Sequence, residues 1–211
     1  MLLAKPRSVV EVINDTHGDL INFYRCVRFH CEALLAEIEF VLNSRREFHD
    51  FRAQPGLTDI QHAARWFIRN KIGFGGSDTS FGVSVSHGLP SRENRMAAIR
   101  ELNLRLDQVT IENLDWQRCL KIYDRPTTFF FLDPPYVGTH IAAYEGWEKF
   151  DVYVLREALD QLQGRWLLTF NDCKMVRGIF CDCLIQSVTR SRGINNKAGS
   201  VTYAELVIRP K

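Results

Sequence analysis

The sequence predicts an α/β protein built on an open, mainly parallel sheet. Short apolar or β-branched runs, such as residues 9–13 and Phe129–Leu132, alternate with longer segments whose apolar residues recur at helical spacing. Several of these runs end in polar residues, as strands do where the carboxyl edge of a sheet meets a ligand. Two further strands are predicted at 184–190 and 201–208, on either side of a long basic loop. This pattern indicates a terminal antiparallel hairpin.

Length and composition limit the class of protein. A chain of 211 residues suits one α/β domain with a small insertion, and 45% hydrophobic with 25% charged residues is ordinary for a soluble protein. No apolar run approaches the roughly 20 residues needed to span a bilayer. The six cysteines lie mainly in apolar segments and lack the spacing of zinc ligands. We therefore expect a cytoplasmic protein without a membrane partner or a metal.

The first strand, at residues 9–13, is closed by Asn14 and Asp15. An acid at the carboxyl end of such a strand commonly holds ribose hydroxyls. Equally, Asp15, Thr16 or Asp19 could cap the helix that follows. Spacing does not decide between ribose binding and capping. Apolar periodicity predicts that helix over residues 20–42.

The middle of the chain, residues 52–105, predicts a small helical insertion. A break is expected around residues 45–56, and Thr58 with Gln61 is a capping-box pattern that opens a helix to about residue 70. A glycine-rich loop over 71–82 and a second helix over 91–106 follow. Positive charge is concentrated in this segment and in the C-terminal tail. Such a segment either contacts phosphates or forms a solvated helical lid.

The run Phe129–Leu132 predicts a strand buried on both faces, and Asp133, Pro134, Pro135 and Tyr136 follow it. The Asp133 carboxylate and the Pro134 carbonyl only accept hydrogen bonds, so together they match an amino group with two hydrogens. Accepting both hydrogens frees the nitrogen lone pair, and Tyr136 offers a face for a planar ring. The pattern indicates a clamp for the exocyclic amine of a nucleobase. The alternative is a Pro-Pro turn with a solvated acid.

Asp-Pro-Pro-Tyr after an apolar strand resembles the catalytic motif of amino-methyltransferases that use S-adenosylmethionine. Its Asp form is most similar to the Dam-like N6-adenine DNA methyltransferases. Residues 12–24 resemble the second conserved block of that family, and residues 66–76 resemble its target-recognition region more loosely. The blocks occur in the family's order, and the resemblance extends over residues 9–208.

The resemblance implies a Rossmann-like S-adenosylmethionine-dependent sheet with a C-terminal antiparallel hairpin. Residues 1–51 and 106–211 would form the catalytic domain, and residues 52–105 would form the target-recognition insertion. The partner would be double-stranded DNA, and the product would be adenine methylated at N6. The catalytic residues implied are Asp133, Pro134, Pro135 and Tyr136.

Further roles follow from the resemblance. The residues expected to bind S-adenosylmethionine are Asp15, Asp115, Trp116 and Asp133. The residues expected to contact DNA are Arg69, Lys71, Phe74, Arg92, Arg95, Tyr144, Arg192 and Lys197. No metal is required.

The family also carries a Phe-x-Gly-x-Gly turn ahead of its second block, and no such motif precedes residue 9. We therefore expect a chain truncated at its N-terminus, with weakened S-adenosylmethionine binding. The strand Phe129–Leu132 would then expose backbone and apolar side chains, which favours self-association through the sheet. Two alternatives stay open: an inactive DNA-binding remnant, and an amino-methyltransferase acting on RNA or protein.

Overall fold

A computed structural model describes residues 2–73, 80–82, 91–136, 150–191 and 202–211. The chain divides into two compact units, Met1–Trp116 and Gln117–Lys211. Each unit combines helices with strands, which confirms the α/β class. Within the described ranges, we find no helix with the length and hydropathy of a membrane span.

The first unit contains one two-stranded sheet, five α-helices and a short 3-10 helix (Leu2–Ala4) among its described residues. In chain order, the strands and α-helices are β1 (Glu11–Asn14), α1 (Gly18–Phe29), α2 (Cys31–Glu39), α3 (Arg45–Ala53), α4 (Asp59–Ile72), α5 (Arg92–Leu106) and β2 (Val109–Glu112). The strands β1 and β2 pair in parallel, and Asn14 lies opposite Glu112 at their carboxyl ends. The polar residues that follow both strands therefore meet at one edge.

Side-chain caps begin the two predicted middle helices. The Thr58 hydroxyl accepts a hydrogen bond from the Gln61 backbone N–H at 3.2 Å, and α4 follows. The Ser91 hydroxyl accepts from the Asn94 N–H at 3.2 Å, and α5 follows. Both contacts satisfy N–H groups that a helix start leaves without partners. The predicted helices over 58–70 and 91–106 are confirmed.

Two predictions in the first unit were wrong. The single helix expected over residues 20–42 is split at His30, whose backbone (φ −133°, ψ 34°) leaves the helical region. The break expected around residues 45–56 contains α3 instead. The Ser44 hydroxyl begins this helix by accepting from the Glu47 N–H at 3.1 Å. Its single fully buried side chain, Phe48, shows why apolar periodicity did not reveal it.

One hydrophobic core joins the helices of the first unit. Phe23 of α1 stacks on Phe67 of α4 at 5.0 Å between ring centroids. Leu34 of α2, Phe48 of α3 and Ile99 of α5 belong to the same buried cluster. The helices of residues 52–105 thus share a core with α1–α3. The division into a catalytic domain and an insertion stays a prediction.

The second unit carries a four-stranded sheet. The helix α6 (Trp116–Tyr123) starts at the boundary between the units. It is followed in chain order by β3 (Phe129–Leu132), α7 (Val152–Asp160), β4 (Arg165–Asn171), α8 (Lys174–Ile179), β5 (Leu184–Ser191) and β6 (Thr202–Arg209). The strand order is β3-β4-β6-β5. Strands β3 and β4 are parallel, and β6 runs antiparallel to both β4 and β5. The predicted terminal hairpin is confirmed. The sequence predicted one open sheet, whereas the described strands form two sheets.

Strand β3 lies at one edge of this sheet, with β4 as its neighbour. Phe130 is 9% exposed, but Phe129 and Phe131 are 51% and 41% exposed. The expectation of burial on both faces was therefore wrong for this strand. The other expectation, that Phe129–Leu132 exposes apolar side chains, is confirmed.

Candidate active site

In the second unit, Asp133 leaves the carboxyl end of β3. The β3–β4 register sets Leu132 opposite Leu168, so the next cross-strand position sets Asp133 beside Thr169. The Thr169 hydroxyl donates to Asp133 Oδ1 at 2.6 Å. Thr169 is buried, whereas Asp133 is exposed. The carboxylate is thus anchored at one oxygen and remains accessible to a ligand.

Tyr136 is held by the two strands beyond β3. Its phenol O–H donates to Glu205 Oε1 of β6 at 3.2 Å. Its ring stacks on Phe170 of β4, with 5.9 Å between centroids and 28° between planes. Pro134 and Pro135, which lie between Asp133 and Tyr136, are half-buried. The four residues form one short stretch that leaves the edge of the sheet. Phe170 and Glu205 hold the Tyr136 ring on the side that faces the sheet.

Asn171 ends β4, and Asp172 follows it directly. Arg177 donates to both oxygens of Asp172, from Nε at 2.6 Å and from Nη2 at 2.7 Å. This hydrogen bonding holds the pKa of Asp172 below its usual value. Asp172 therefore has an internal partner and ties β4 to α8.

In the first unit, Asp15 follows β1, and its Oδ1 accepts from the His17 backbone N–H at 2.8 Å. His17 is itself the N-cap of α1, since its Nδ1 accepts from the Leu20 N–H at 3.2 Å. None of the three capping candidates, Asp15, Thr16 and Asp19, is therefore the N-cap. Asp15 stabilises the turn that precedes the cap.

A cavity of about 350 Å³ opens at the carboxyl end of β1. Its lining is mainly apolar, with Asn14 and Asp15 as polar groups; the other lining residues are Leu2, Ile13, Leu20, Ile21, Tyr24 and Leu102. Burial, reinforced by the Asp15 charge, raises the pKa of Tyr24. Apolar walls with a few placed polar groups are typical of small-molecule sites of this size. Among the described residues of this lining, Asp15 is the one carboxylate.

The loops after β1 and β2 are joined by side-chain amides. Asn14 Nδ2 donates to the Leu114 carbonyl at 3.0 Å, and its Oδ1 accepts from the Leu114 N–H at 2.8 Å. Asn113 Nδ2 donates to the Asp15 carbonyl at 2.8 Å. Asp115 and Trp116 follow directly, exposed and half-buried respectively, and do not line the cavity.

The residues predicted to contact DNA differ in exposure. Arg69 and Arg95 are only 6% and 3% exposed, and Arg95 Nη1 donates to Asn43 Oδ1 at 2.5 Å. Burial lowers the pKa of Arg95. Direct phosphate contacts by Arg69 and Arg95 do not fit this burial, because a phosphate needs an accessible guanidinium. Lys71 and Arg92 are exposed.

Four other residues predicted to contact DNA lie outside the described ranges: Phe74, Tyr144, Arg192 and Lys197. Within the described ranges, no group of three or more His, Cys, Asp or Glu side chains is placed to hold a metal ion. Asp133 and Tyr136 remain predictions from the sequence; their contacts with Thr169 of β4 and Glu205 of β6 were not predicted.

Comparison with known proteins identifies the family. No curated protein sequence matches the chain. A family model does match it, over residues 4–194, and its description is D12 class N6 adenine-specific DNA methyltransferase. The matched range includes β1, the Asp133–Tyr136 stretch and β4. The chain therefore belongs to the D12 class of N6 adenine-specific DNA methyltransferases.

Proposed function

We propose that this protein transfers a methyl group from S-adenosylmethionine to the N6 amine of adenine in double-stranded DNA. Family membership supports the reaction class. The observation that carries the proposal is the Asp133–Tyr136 stretch. It combines an accessible carboxylate anchored by Thr169, the adjacent Pro134 carbonyl and an aromatic ring fixed by Phe170 and Glu205.

In the proposed mechanism, the target adenine turns out of the duplex, because its N6 is not accessible to this stretch inside the helix. Asp133 and the Pro134 carbonyl accept the two amine hydrogens, and the Tyr136 ring stacks on the base. With both hydrogens held, the nitrogen lone pair leaves the ring conjugation and becomes nucleophilic. S-adenosylmethionine, when bound, would supply a methyl group activated on a sulfonium: the N6–C bond would form as the S–C bond breaks, and the surplus N6 proton would leave to the Asp133 carboxylate or to water. Positioning provides most of the acceleration.

The cavity beside Asp15 is the proposed site for the nucleoside part of S-adenosylmethionine. Its volume, its apolar lining and its single carboxylate support this assignment. Asp115, Trp116 and Asp133 remain proposed contacts to the same cofactor on the strength of the family resemblance. The Rossmann-like sheet is also a proposal, supported by the parallel pairs β1–β2 and β3–β4.

DNA binding is proposed for the basic part of residues 52–105, which would act as the target-recognition insertion. The exposure of Lys71 and Arg92 supports contacts to phosphates. Phe74, Tyr144, Arg192 and Lys197 are proposed on sequence alone. Arg69 and Arg95 would support this surface from the interior.

We also propose that two copies of the chain associate through β3. Two observations support this: β3 is an edge strand, and two of its phenylalanines are about half exposed. An apolar edge with unpaired backbone groups is a template for a further strand.

Methyl transfer from tritiated S-adenosylmethionine to DNA, RNA and protein tests the proposed activity. We expect label in DNA, and we expect Asp133→Ala to lower the rate by at least about 100-fold. Glu157→Ala, which removes an exposed carboxylate from α7 of the same unit, is the matched control and should retain activity. Label in RNA or protein instead of DNA would favour the alternative amino-methyltransferases. Binding of DNA without transfer would indicate an inactive remnant.

A further inference from the structure

We infer that Thr169 is a positioning residue for the catalytic carboxylate: its hydroxyl holds one oxygen of Asp133, so that the other is presented to the adenine amine. This inference rests on the proposed function. It concerns a residue of β4, 36 positions beyond Asp133 in the chain. Thr169 contacts Asp133, the acid proposed to bind the adenine amine, and its effect on the reaction would be exerted through Asp133.

The first step of the argument is the hydrogen bond itself. Thr169 Oγ1 lies 2.6 Å from Asp133 Oδ1 and 3.3 Å from the Leu132 carbonyl oxygen. The hydroxyl has one hydrogen, and both neighbours are acceptors. The closer and charged acceptor receives it, because charge-assisted bonds are shorter and stronger. The contact therefore fixes the carboxylate.

The second step is that Asp133 would otherwise be poorly fixed. It follows the last residue of β3 and is exposed to solvent. The terminal torsion of an aspartate is broad and roughly two-fold, so an exposed carboxylate rotates easily. Without the bond from Thr169, the plane of the Asp133 carboxylate could turn away from the Pro134 carbonyl. A displacement of about 1 Å can lower a rate by about 100-fold.

The third step is that Thr169 itself cannot move easily. Its strand, β4, is interior to the sheet, between β3 and β6. Thr169 lies opposite Val207 of β6, and its neighbours Leu168 and Phe170 are fully buried. A β-branched side chain in a buried strand has a restricted χ1. The Thr169 hydroxyl is therefore held in one orientation, and it donates to the Asp133 carboxylate, which could otherwise rotate.

Two substitutions separate the hydroxyl from the shape of the side chain. Thr169→Val keeps the branched shape and removes the donor, whereas Thr169→Ser keeps the donor and removes the methyl group. We expect Thr169→Val to lower kcat for DNA methylation about 10- to 100-fold, with less than about a threefold change in KM for DNA. Thr169→Ser should stay within about threefold of wild type in kcat.

A role in packing alone predicts the reverse order, with Thr169→Val active and Thr169→Ser impaired, and that result would overturn the inference. The melting temperature of Thr169→Val should remain close to that of wild type, because water can replace the lost donor at the exposed carboxylate. Wild type and Asp133→Ala in the same assay test the proposed function separately. If wild type labels no DNA, the proposed function fails.

A crystal structure of Thr169→Val decides the inference without reference to activity. We expect the Asp133 carboxylate to occupy more than one rotamer, or a rotamer different from that in wild type. A single, unchanged Asp133 rotamer in Thr169→Val would contradict the inference, whatever the activity of the enzyme.

Discussion

At the scale of single residues, Tyr136 combines two contacts of different kinds. The phenol O–H bonds to Glu205, and the ring stacks on Phe170. The proposed mechanism uses the ring face, while the hydrogen bond only orients it. Tyr136→Phe should therefore keep most of the activity, within about fivefold of wild type. Tyr136→Ala should lower kcat/KM by about 100-fold or more, since base stacking contributes roughly 1–3 kcal/mol and positioning adds to it.

Steady-state methylation of mixed-sequence DNA measures both Tyr136 variants. Equal losses in Tyr136→Phe and Tyr136→Ala would show that the hydroxyl, and not the ring, matters. That result would contradict a stacking role.

Asp15 provides a separate test of the cofactor site in the first unit. Asp15→Asn keeps an oxygen that can accept from the His17 N–H but removes the charge, so the turn before α1 should survive. We expect the variant to bind S-adenosylmethionine about tenfold or more weakly, the size expected for a lost bond to a charged group. Isothermal titration calorimetry measures this affinity. The control is Asp19→Asn, an acid in the first turn of α1 that does not line the cavity.

Positions that are consecutive in the chain could be placed from the sequence. Asp133, Pro134 and Tyr136 are consecutive with an apolar strand, so their placement at its carboxyl end could be deduced. Thr169 and Glu205 could not be found in this way, because their partners are 36 and 69 residues away. Which residues face each other depends on strand register, and a one-residue slip would change every pair.

At the scale of secondary-structure elements, an ion pair between the buried Glu11 and the half-buried Arg105 connects the start of β1 to the end of α5. Arg105 donates to both oxygens of Glu11, at 2.5 Å and 2.8 Å, and from Nε to the Leu2 carbonyl at 3.1 Å. Lys5 also bonds to Glu11. The hydrogen bond from Arg105, followed by that from Lys5, lowers the pKa of Glu11 to about 2 from 4.5.

This lowered pKa predicts acid sensitivity. Glu11 is ionised more readily when folded than when unfolded, so its stabilising contribution is fully present above pH 4.5 and is lost as the pH falls toward 2. Glu11→Gln removes the titration but keeps the shape. The melting temperature of wild type should exceed that of Glu11→Gln at neutral pH by about 5 °C or more. The difference should shrink between about pH 4.5 and pH 2.

Thermal unfolding followed by circular dichroism across this pH range checks the expectation. The control is Asp50→Asn in the exposed pair Arg46–Asp50, whose side chains are 91% and 65% exposed. An exposed pair contributes little, so this control should change the melting temperature only slightly at any pH. A difference between wild type and Glu11→Gln that is independent of pH would contradict the lowered pKa.

Sequence signals for the elements were reliable where a capping side chain coincided with apolar periodicity. That combination predicted α4, which Thr58 opens. The cap of α5 at Ser91 was not part of its prediction, and the helix carries little apolar periodicity. Ser44 is an equivalent cap for α3, but the nine-residue helix is short and polar, with only Phe48 fully buried, so its few apolar residues did not stand out in the sequence. The short helix α8, of six residues, was missed for the same reason. The break at His30 has no nearby glycine or proline that would signal it in the sequence, and α1 and α2 on either side of it share one core with α4 and α5.

At the scale of the whole molecule, the exposed edge of β3 determines the proposed self-association. We expect wild type to form dimers with increasing concentration in analytical ultracentrifugation. The variant with both Phe129→Thr and Phe131→Thr should remain monomeric, because the substitutions remove the exposed apolar surface. Threonine is β-branched and favours strands, so β3 should still form.

Strand β5 at the opposite edge of the same sheet supplies the control. Leu184→Thr changes an apolar side chain that is 42% exposed there and should leave the association unchanged. A wild-type chain that remains monomeric at every concentration would contradict association through β3.

For the molecule as a whole, the α/β class and the terminal hairpin could be predicted from strand and helix patterns. The two compact units could not. Their division depends on which helices share a core, and α4 and α5 share theirs with α1–α3. Side-chain contacts between distant segments decide this, and hydrophobic periodicity does not report them.

We propose that the protein methylates adenine at N6 through the Asp133–Tyr136 stretch. The most direct test is mass spectrometry of the nucleosides from double-stranded DNA incubated with the protein and methyl-labelled S-adenosylmethionine. We predict N6-methyl-2′-deoxyadenosine with wild type and at most a trace of it with Asp133→Ala. A labelled cytosine nucleoside in place of the adenine product, or equal N6-methyladenine formation by both proteins, would contradict the claim.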